Sequence, residues 1–192
     1  MTSTTTRERL LGSARTLFQR QGFAATGIKQ ILEVSDAASA SLYHFYPGGK
    51  HDLAADAIRT SGAEYQALVE SVLDSAPDPC AGVRACFDGA ASTVEASGYQ
   101  DACPIATVAS EIANTDDELR QACADVFDSW IDAAAKRFRA AGVKPAAARE
   151  LAVTFIMLLE GGFLMARVRR DAAPLRRAGR TMEALVRASL DS

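Results

Sequence analysis

The spacing of apolar residues constrains this fold most, because it follows a helical period along nearly the whole chain. In the first segment Leu10, Leu11, Ala14, Leu17 and Phe18 recur at intervals that place them on one side of a helix. No segment shows strand-length alternation flanked by hairpin turns, and no internal repeat occurs. The sequence therefore predicts an all-α fold with about nine helices.

Glycine, proline and capping residues predict where the early helices begin and end. Gly22 is expected to end the first helix, and Thr26 is expected to be the N-cap of a short second helix. A third short helix is expected over about Ser39–Phe45, because the Pro-Gly-Gly sequence at 47–49 then breaks the pattern. Three short helices thus precede a long helical stretch that begins at Lys50.

The later helices are predicted from the same kinds of signal. Pro104 suits the first position of a helix, where its missing N–H would have no intrahelical partner. Thr115, with Glu118 three residues further on, predicts a capping box for the next helix, which Gly142 would end. The last two helices are expected to open near prolines 145 and 174.

Composition indicates a folded chain with a sizeable core. The 192 residues are 48% hydrophobic and carry a net charge of −3, which does not fit a disordered chain. So weak a net charge gives no whole-chain attraction to nucleic acid. Residues 1–60 carry seven Lys/Arg and five Asp/Glu, which gives +2 there and leaves −5 for the remainder. Any basic surface is therefore expected near the N-terminus.

The sequence favours a cytoplasmic protein without a metal site. The N-terminus lacks the apolar segment of a signal peptide, and the longest apolar stretch, at 151–166, contains a glutamate and two glycines. The four cysteines form no CxxC pair and only two histidines accompany them, so the usual zinc spacings are absent. We interpret the cysteines as small buried hydrophobes, with a sensor thiol at Cys103 as the alternative.

The first three helices suit a helix-turn-helix, because a tight turn separates the second from the third. In such a unit the last helix lies in the major groove of DNA, with its N-terminal residues against the base edges. Leu42 would anchor that helix to the core. The residues it would present to DNA are Ser39, Ala40, Ser41, Tyr43 and His44.

Lys50 gives a second indication of DNA binding. A cation at a helix N-terminus opposes the helix macrodipole, so its position makes sense if a phosphate binds there. Simpler explanations stay open, since a single lysine is usually solvated and a run of aromatic residues is usually core. We expect Phe45 and Tyr46 to pack in the core for that reason.

Several motifs occur in a fixed order. Phe18, Gly22, Phe23 and Thr26 precede the run LYHFYP at 42–47 and then Lys50, and later segments read PGGKHDLAADAI, ACPIATVASEIA and APLRRAG. In these motifs the chain resembles the TetR family of transcriptional regulators, and within it the LmrA/YxaF-like subgroup. The resemblance covers nearly the whole chain.

Two departures from the family bear on DNA affinity. Asp36 stands where the family usually has a turn glycine, and aspartate tolerates left-handed geometry, so the turn can form. Ser39-Ala40 stand where the family often has a basic residue followed by glycine. The base specificity of the family therefore does not transfer, and the Asp36 carboxylate would repel phosphate.

The resemblance implies a ligand-responsive, DNA-binding transcriptional regulator, a repressor that a small, mostly apolar molecule releases from its operator. It implies a DNA-binding domain over residues 1–50 and a ligand-binding and dimerisation domain over 51–192. The implied partners are double-stranded operator DNA, the small-molecule effector and a second copy of the chain, with no cofactor, metal or membrane. It adds Thr26 and Lys29 to the expected DNA contacts.

The resemblance also implies a pocket among the middle helices. Large rings with few polar groups suit a mostly apolar ligand. A carboxylate at Glu111 or Glu160 would recognise a cationic or hydrogen-bonding ligand group, with an internal ion pair or a helix surface position as the alternatives. The expected pocket residues are Phe87, Thr107, Glu111, Phe127, Trp130, Phe155 and Leu159.

The dimer is expected to form through the last two long helices. Adjacent glycines at 161 and 162 cost about 1 kcal/mol each in a helix interior, which close approach of another helix would justify. The expected interface residues are Leu158, Gly162, Phe163, Ala166 and Leu185.

We expect no enzymatic activity. The sequence has no nucleophile-elbow, metalloprotease, Walker or dinucleotide-binding motif, and both histidines lie in the N-terminal part. A helical enzyme or carrier for an apolar ligand and a protein-interaction module stay open as alternatives.

Overall fold

Helices make up nearly all of the chain in the computed structural model, which describes residues 5–191. Within that range the prediction of an all-α fold with about nine helices is confirmed. In chain order the helices are α1 (Thr6–Gln21), α2 (Ile28–Ser35), α3 (Ser39–Phe45), α4 (Lys50–Ser75), α5 (Pro79–Ala96), α6 (Pro104–Ile112), α7 (Asp117–Ala140), α8 (Pro145–Arg169) and α9 (Ala173–Leu190).

Local sequence signals fix several helix ends as expected. Gly22 follows α1 with a φ of 86°, a left-handed backbone that glycine adopts without strain. Pro104 is the first residue of α6. A capping box that the sequence analysis did not identify opens α1, where Thr5 Oγ1 accepts from the Glu8 N–H and the Glu8 carboxylate accepts from the Thr5 N–H.

Two predicted caps are wrong. The N-cap of α2 is Gly27, because the Thr26 hydroxyl turns back and donates to the Gly22 carbonyl at 2.6 Å. At the start of α7, Asp116 Oδ1 accepts from the Leu119 N–H at 3.0 Å, so Asp116 takes the capping role that was expected of Thr115. Gly27 makes no side-chain cap bond at the start of α2, whereas the Asp116 carboxylate satisfies a free N–H of α7.

The chain divides into two compact units. The first extends to Ala63 and includes Cys103–Val126, and in it α1 packs against α2, α3 and α6. Its core includes the fully buried side chains Leu10, Ile31, Leu42, Leu53, Ile105 and Leu119.

The second unit contains Glu64–Ala102 and the chain from Phe127 onward, and in it α5 packs against α8 and α9. Phe87 and Phe155 meet edge to face with ring centroids 5.4 Å apart. Gly179 lets α9 approach α5 closely, because a Cβ at this position would lie 2.7 Å from the Phe87 Cβ.

The two units are groups of residues that pack together, and their limits differ from the predicted boundary between the DNA-binding and ligand-binding domains at residues 50 and 51. That boundary stays a prediction. Helices α4 and α7 each contribute residues to both units. Residues 1–4 and 192, at the outer ends of the two predicted domains, lie outside the described residues.

The four cysteines are buried. Burial raises the pKa of the Cys86 thiol to about 12 and that of Cys123 to about 11, and it raises the pKa of Cys80 as well. Cys103 is 1% exposed, and its Sγ accepts from the Ala106 N–H at 3.4 Å. These environments favour the interpretation of the cysteines as small buried hydrophobes.

Helix α8 is more apolar than the sequence analysis expected. By length and composition it could cross a membrane, since an 18-residue window has a mean hydropathy of 1.8. One side of α8 packs against α5 and α9. A helix buried in the core of a globular protein can be as apolar as a membrane-spanning helix.

Candidate nucleic-acid interface

The turn between α2 and α3 forms without glycine. Asp36 adopts the left-handed conformation, with φ 48° and ψ 48°. From α1, Arg9 donates to the Ser35 carbonyl at 2.9 Å and to the Asp36 carbonyl at 3.1 Å. Because these carbonyls have no intrahelical partner at the end of α2, the guanidinium both satisfies them and fixes the turn.

Helix α3 has one buried anchor and a broad exposed side. Leu42 is fully buried, whereas 49% of Tyr43 and 39% of Phe45 are exposed. The expectation that Phe45 packs in the core is therefore wrong, and the prediction that Tyr46 packs there is confirmed, since it is 4% exposed. The predicted reading residues Ser39, Ala40, Tyr43 and His44 are exposed, and Ser41 is half-buried.

Tyr46 ties the end of α3 to α1 and α4. Its hydroxyl donates to Asp56 Oδ2 at 2.8 Å, and the Arg7 guanidinium donates to the same oxygen at 2.6 Å. Burial, and then the bond to Asp56, raise the pKa of Tyr46 to about 12. These bonds to α1 and α4 hold the C-terminal end of α3 in place.

Lys50 does not project towards solvent as expected of a phosphate contact. Its Nζ donates to the Phe23 carbonyl at 3.0 Å and to the Thr26 carbonyl at 3.1 Å, and it lies 4.0 Å from the centroid of the Phe23 ring. Desolvation lowers the pKa of Lys50, and the negative charge of Glu111 partly offsets that effect. Lys50 therefore binds the loop between α1 and α2.

Thr26 and Lys29 occupy very different positions. Thr26 is fully buried, so the expectation that its side chain contacts DNA is wrong and its hydroxyl shapes the loop instead. The Lys29 side chain is 92% exposed and lies 3.9 Å from the Glu33 carboxylate. Lys29 is thus accessible to phosphate, since an exposed ion pair of this length is weak.

The expected pocket residues divide between the two units. Thr107 and Glu111 belong to the first unit, where the Thr107 hydroxyl donates to the Cys103 carbonyl at 2.9 Å and Glu111 Oε2 accepts from the Ala24 N–H at 2.7 Å. The prediction that Glu111 lines a ligand pocket is wrong, because its carboxylate binds the backbone of the loop after α1.

The other expected pocket residues lie in the second unit. Trp130, Phe155 and Leu159 line one cavity together with Tyr65 and other residues of α4, α7 and α8. The space open to the centre of a water-sized sphere is about 20 Å³, which is room for about one water. The other two expected pocket residues pack behind residues that line the cavity. Phe127 packs on Trp130 with ring centroids 5.6 Å apart, and Phe87 packs on Phe155.

The expected dimer residues differ in exposure, and four of them lie on α8 and one, Leu185, on α9. Phe163 and Ala166 are buried within the chain, and a Cβ on Gly162 would lie 2.7 Å from the Leu175 side chain of α9. The expectation that these three form an interface is therefore wrong, although Leu158 is half-buried and Leu185 is 40% exposed. The opposite side of α8 carries an exposed apolar stripe that was not predicted from the sequence, and it contains Met157, Leu164, Met165 and Val168.

Arg9 of α1 holds the tight turn between α2 and α3, and the short helix α3 exposes polar and aromatic side chains to solvent. This arrangement is that of a helix-turn-helix DNA-binding regulator. The model of the bacterial regulatory proteins, tetR family, matches residues 10–57, and that of the LmrA/YxaF-like transcriptional regulator C-terminal domain matches residues 79–181. The chain belongs to the TetR family of DNA-binding transcriptional regulators, which are not enzymes, and has an LmrA/YxaF-like C-terminal domain.

Related sequences extend over nearly the whole chain. The chain is 33% identical to the uncharacterized HTH-type transcriptional regulator YxaF of Bacillus subtilis, over 94% of this chain and 95% of that protein. It is 36% identical to the uncharacterized regulator Rv0196 of Mycobacterium tuberculosis, over 96% of this chain and 95% of that protein.

Solved structures share the fold at lower sequence identity. The regulatory protein TetR from Rhodobacter sphaeroides superposes with a TM-score of 0.84 at 22% identity, over 94% of this chain and 98% of that one. The TetR transcriptional regulator from Legionella pneumophila superposes with a TM-score of 0.81 at 22% identity, over 96% of this chain and 98% of that one.

Proposed function

We propose that this regulator is a cytoplasmic, homodimeric repressor that a small, mostly apolar effector releases from operator DNA. Helices α4 and α7 support this function most directly. Each is one continuous helix that contributes residues to the unit with the helix-turn-helix and also lines the aromatic cavity of the other unit. A change in the cavity therefore has a covalent path to the DNA-reading unit.

The DNA contacts divide by chemistry. Ser39, Ala40 and Ser41 are small, so the start of α3 can approach base edges closely, and His44 provides a ring nitrogen for base recognition. The Tyr43 hydroxyl and the exposed Lys29 ammonium suit phosphate oxygens, which set register and affinity. Lys50 and Thr26 shape the loop behind this surface.

The effector site is the cavity lined by Trp130, Phe155, Leu159 and Tyr65. Its walls are mostly apolar, and the guanidinium of Arg137, one of the polar lining residues, already forms two bonds of 2.7 Å to Asp74. A planar, uncharged, largely apolar molecule fits that chemistry. Since the cavity has room for about one water, the effector must displace its walls, and this displacement is the proposed signal.

The dimer forms through the exposed stripe of α8 and the adjoining surface of α9. Met157, Leu158 and Met165 line a groove with Arg177 and other α9 residues, and the groove offers about 430 Å³ to the centre of a water-sized sphere. Large exposed apolar surfaces on folded proteins mark interaction sites, and a second copy of the chain would cover this one. A two-fold pair would place two α3 helices about 34–36 Å apart, one turn of DNA.

A binding selection tests the DNA-reading function. The full chain is used to enrich duplexes from a random library, and binding of the enriched duplex is then followed by fluorescence anisotropy at several salt concentrations. We expect an enriched sequence with two-fold symmetry and an affinity that falls steeply with salt. Failure to enrich any duplex would overturn the proposal.

A second experiment tests the effector response. Planar apolar compounds that raise the melting temperature of the chain are added to the protein–duplex complex. We expect release with a coupling of about 5- to 150-fold in affinity. Trp130→Phe should weaken the compound effect and leave binding of the duplex alone unchanged. A compound that occupies the cavity without changing DNA affinity would show that this cavity has no regulatory role.

A further inference from the structure

The loop between α1 and α2 is held from two sides by residues far away in sequence. Lys50 Nζ donates to the Phe23 and Thr26 carbonyls, and Glu111, on α6, accepts from the Ala24 N–H at 2.7 Å. The loop leads directly into α2, whose N-cap is Gly27. Both side chains therefore bond to the backbone of the loop that precedes α2.

We propose that Glu111 is a positioning residue for DNA recognition, which holds the α1–α2 loop so that α2 and α3 are presented in the geometry that reads DNA. This inference rests on the proposed DNA-reading role of α3. It assigns to α6 a direct bond to the backbone of the α1–α2 loop, separate from the contacts that α3 makes with α1 and α4.

Gly22 provides independent geometric support. It has a φ of 86°, and Glu111 Oε1 lies where a Cβ on Gly22 would stand. Any side chain at position 22 would therefore displace the carboxylate as well as strain the backbone. The carboxylate thus packs closely against the loop at Gly22, although Glu111 as a whole is exposed.

The residues on either side of Ala24 are bonded to one another and to α2. The Thr26 hydroxyl donates to the Gly22 carbonyl at 2.6 Å, and Gln21 Nε2 donates to the Ala25 carbonyl at 3.1 Å and to Gln30 Oε1 at 2.8 Å. Gln30 lies on α2, so the bonded network continues into that helix. Glu111 also lies close enough to Lys50 for its charge to counteract the lowering of the Lys50 pKa by desolvation.

Three substitutions separate reach from charge. Glu111→Gln keeps an acceptor oxygen at the same distance and loses the charge, Glu111→Asp keeps the charge and withdraws the oxygen by one methylene, and Glu111→Ala removes both. Glu118→Ala is the matched control, because Glu118 is another exposed glutamate of the same unit and its removal changes net charge equally.

The measured quantity is the affinity for the enriched duplex divided by the affinity for a scrambled duplex of the same length. Both affinities are measured at the same salt concentration. We expect Glu111→Ala and Glu111→Asp to lower this ratio about fivefold, the factor that one ordinary hydrogen bond supplies. Glu111→Gln and Glu118→Ala should retain it. Amide hydrogen exchange at Ala24 should become faster in Glu111→Ala and Glu111→Asp only.

The outcomes distinguish this inference from the proposed function. If the unmodified chain enriches no duplex, the DNA-reading role fails and this inference fails with it. If the unmodified chain discriminates and both Glu111→Ala and Glu111→Asp discriminate equally well, only the positioning role is overturned. Should Glu111→Ala lose cooperative unfolding, Glu111→Asp, which retains the charge, decides the question alone.

Discussion

Asp36 combines backbone strain and charge in one exposed residue of the helix-turn-helix. Its left-handed backbone costs a non-glycine residue about 1 kcal/mol, and its carboxylate lies in the turn before α3. We expect Asp36→Gly to raise the free energy of unfolding by up to about 1 kcal/mol in urea denaturation. Asp36→Asn keeps a side chain that tolerates this conformation, so its stability should stay unchanged.

The same pair isolates the effect of the charge on DNA binding. Both substitutions remove one negative charge beside α3, so both should tighten binding to enriched and scrambled duplexes alike, most clearly at low salt. If Asp36→Gly tightens binding and Asp36→Asn does not, backbone geometry and not charge limits affinity at this turn.

Tyr46 gives a prediction about stability and pH. Tyr46→Phe removes the hydrogen bond to Asp56, which retains Arg7, so the free energy of unfolding should fall by about 1–2 kcal/mol at neutral pH. Because the pKa of Tyr46 is raised in the folded state, to about 12 from 10.0, its contribution is fully present below pH 10 and disappears towards pH 12.

Urea denaturation of both proteins across this pH range measures that contribution. The difference in stability between the unmodified chain and Tyr46→Phe should shrink as pH rises, and phenolate absorbance should show one late-titrating tyrosine that the variant lacks. A constant difference up to pH 12 would show that the hydroxyl does not remain protonated through the bond to Asp56.

At the scale of the elements, glycine positions report how closely α5 and α9 pack. A Cβ on Gly179 would lie 2.7 Å from the Phe87 Cβ in the core, so Gly179→Ala should lower the free energy of unfolding by about 1–3 kcal/mol. Gly89, on the exposed side of α5, has no atom within 4 Å of its Cβ position. Gly89→Ala should therefore stabilise the chain by up to about 1 kcal/mol.

Thermal and urea unfolding of the two alanine variants check this contrast. Both changes add the same methyl group to a helix, so their opposite signs would come from packing and not from helix propensity. Equal effects would mean that α9 has room to move away from α5, and the close approach at Gly179 would then not limit stability.

The sequence predicted elements better than it predicted contacts, for a physical reason. The ends of α1, α3 and α6 depend on nearby glycine and proline, so local patterns were sufficient. The roles of Lys50 and Glu111 depend on bonds to backbone groups 24 to 87 residues away, for which the sequence carries no local signal. The helix-turn-helix was thus predictable, and the bracing of its loop was not.

Helix α8 shows a different limit of sequence patterns. Apolar residues occur all round this helix, so periodicity could not tell which side packs within the chain. Phe163 and Ala166 turned out to be core, whereas Leu164 and Val168 are 66% and 78% exposed. Only the position of α9 and α5 on one side of α8 identifies the other side as unpaired.

For the whole molecule, the exposed stripe of α8 predicts oligomeric state. Leu164→Glu introduces a charge that the proposed two-fold interface would bury twice, and each lost leucine contact alone is worth about 1.5–3 kcal/mol. We expect the dissociation constant of the dimer to rise at least about 100-fold, so sedimentation should change from twice the 20.3 kDa chain mass towards the single chain mass. Binding of the enriched duplex should weaken with it, because a monomer reads one half-site.

Leu68 provides the matched control, since it is an equally large apolar residue, 59% exposed, on α4 and outside the stripe. Leu68→Glu should sediment as the unmodified chain does and bind the same duplex. If Leu164→Glu remains a dimer, the two-fold contact lies elsewhere and the stripe requires another occupant. If Leu164→Glu is a monomer that binds the full duplex undiminished, recognition does not require two heads, and dimerisation serves stability alone.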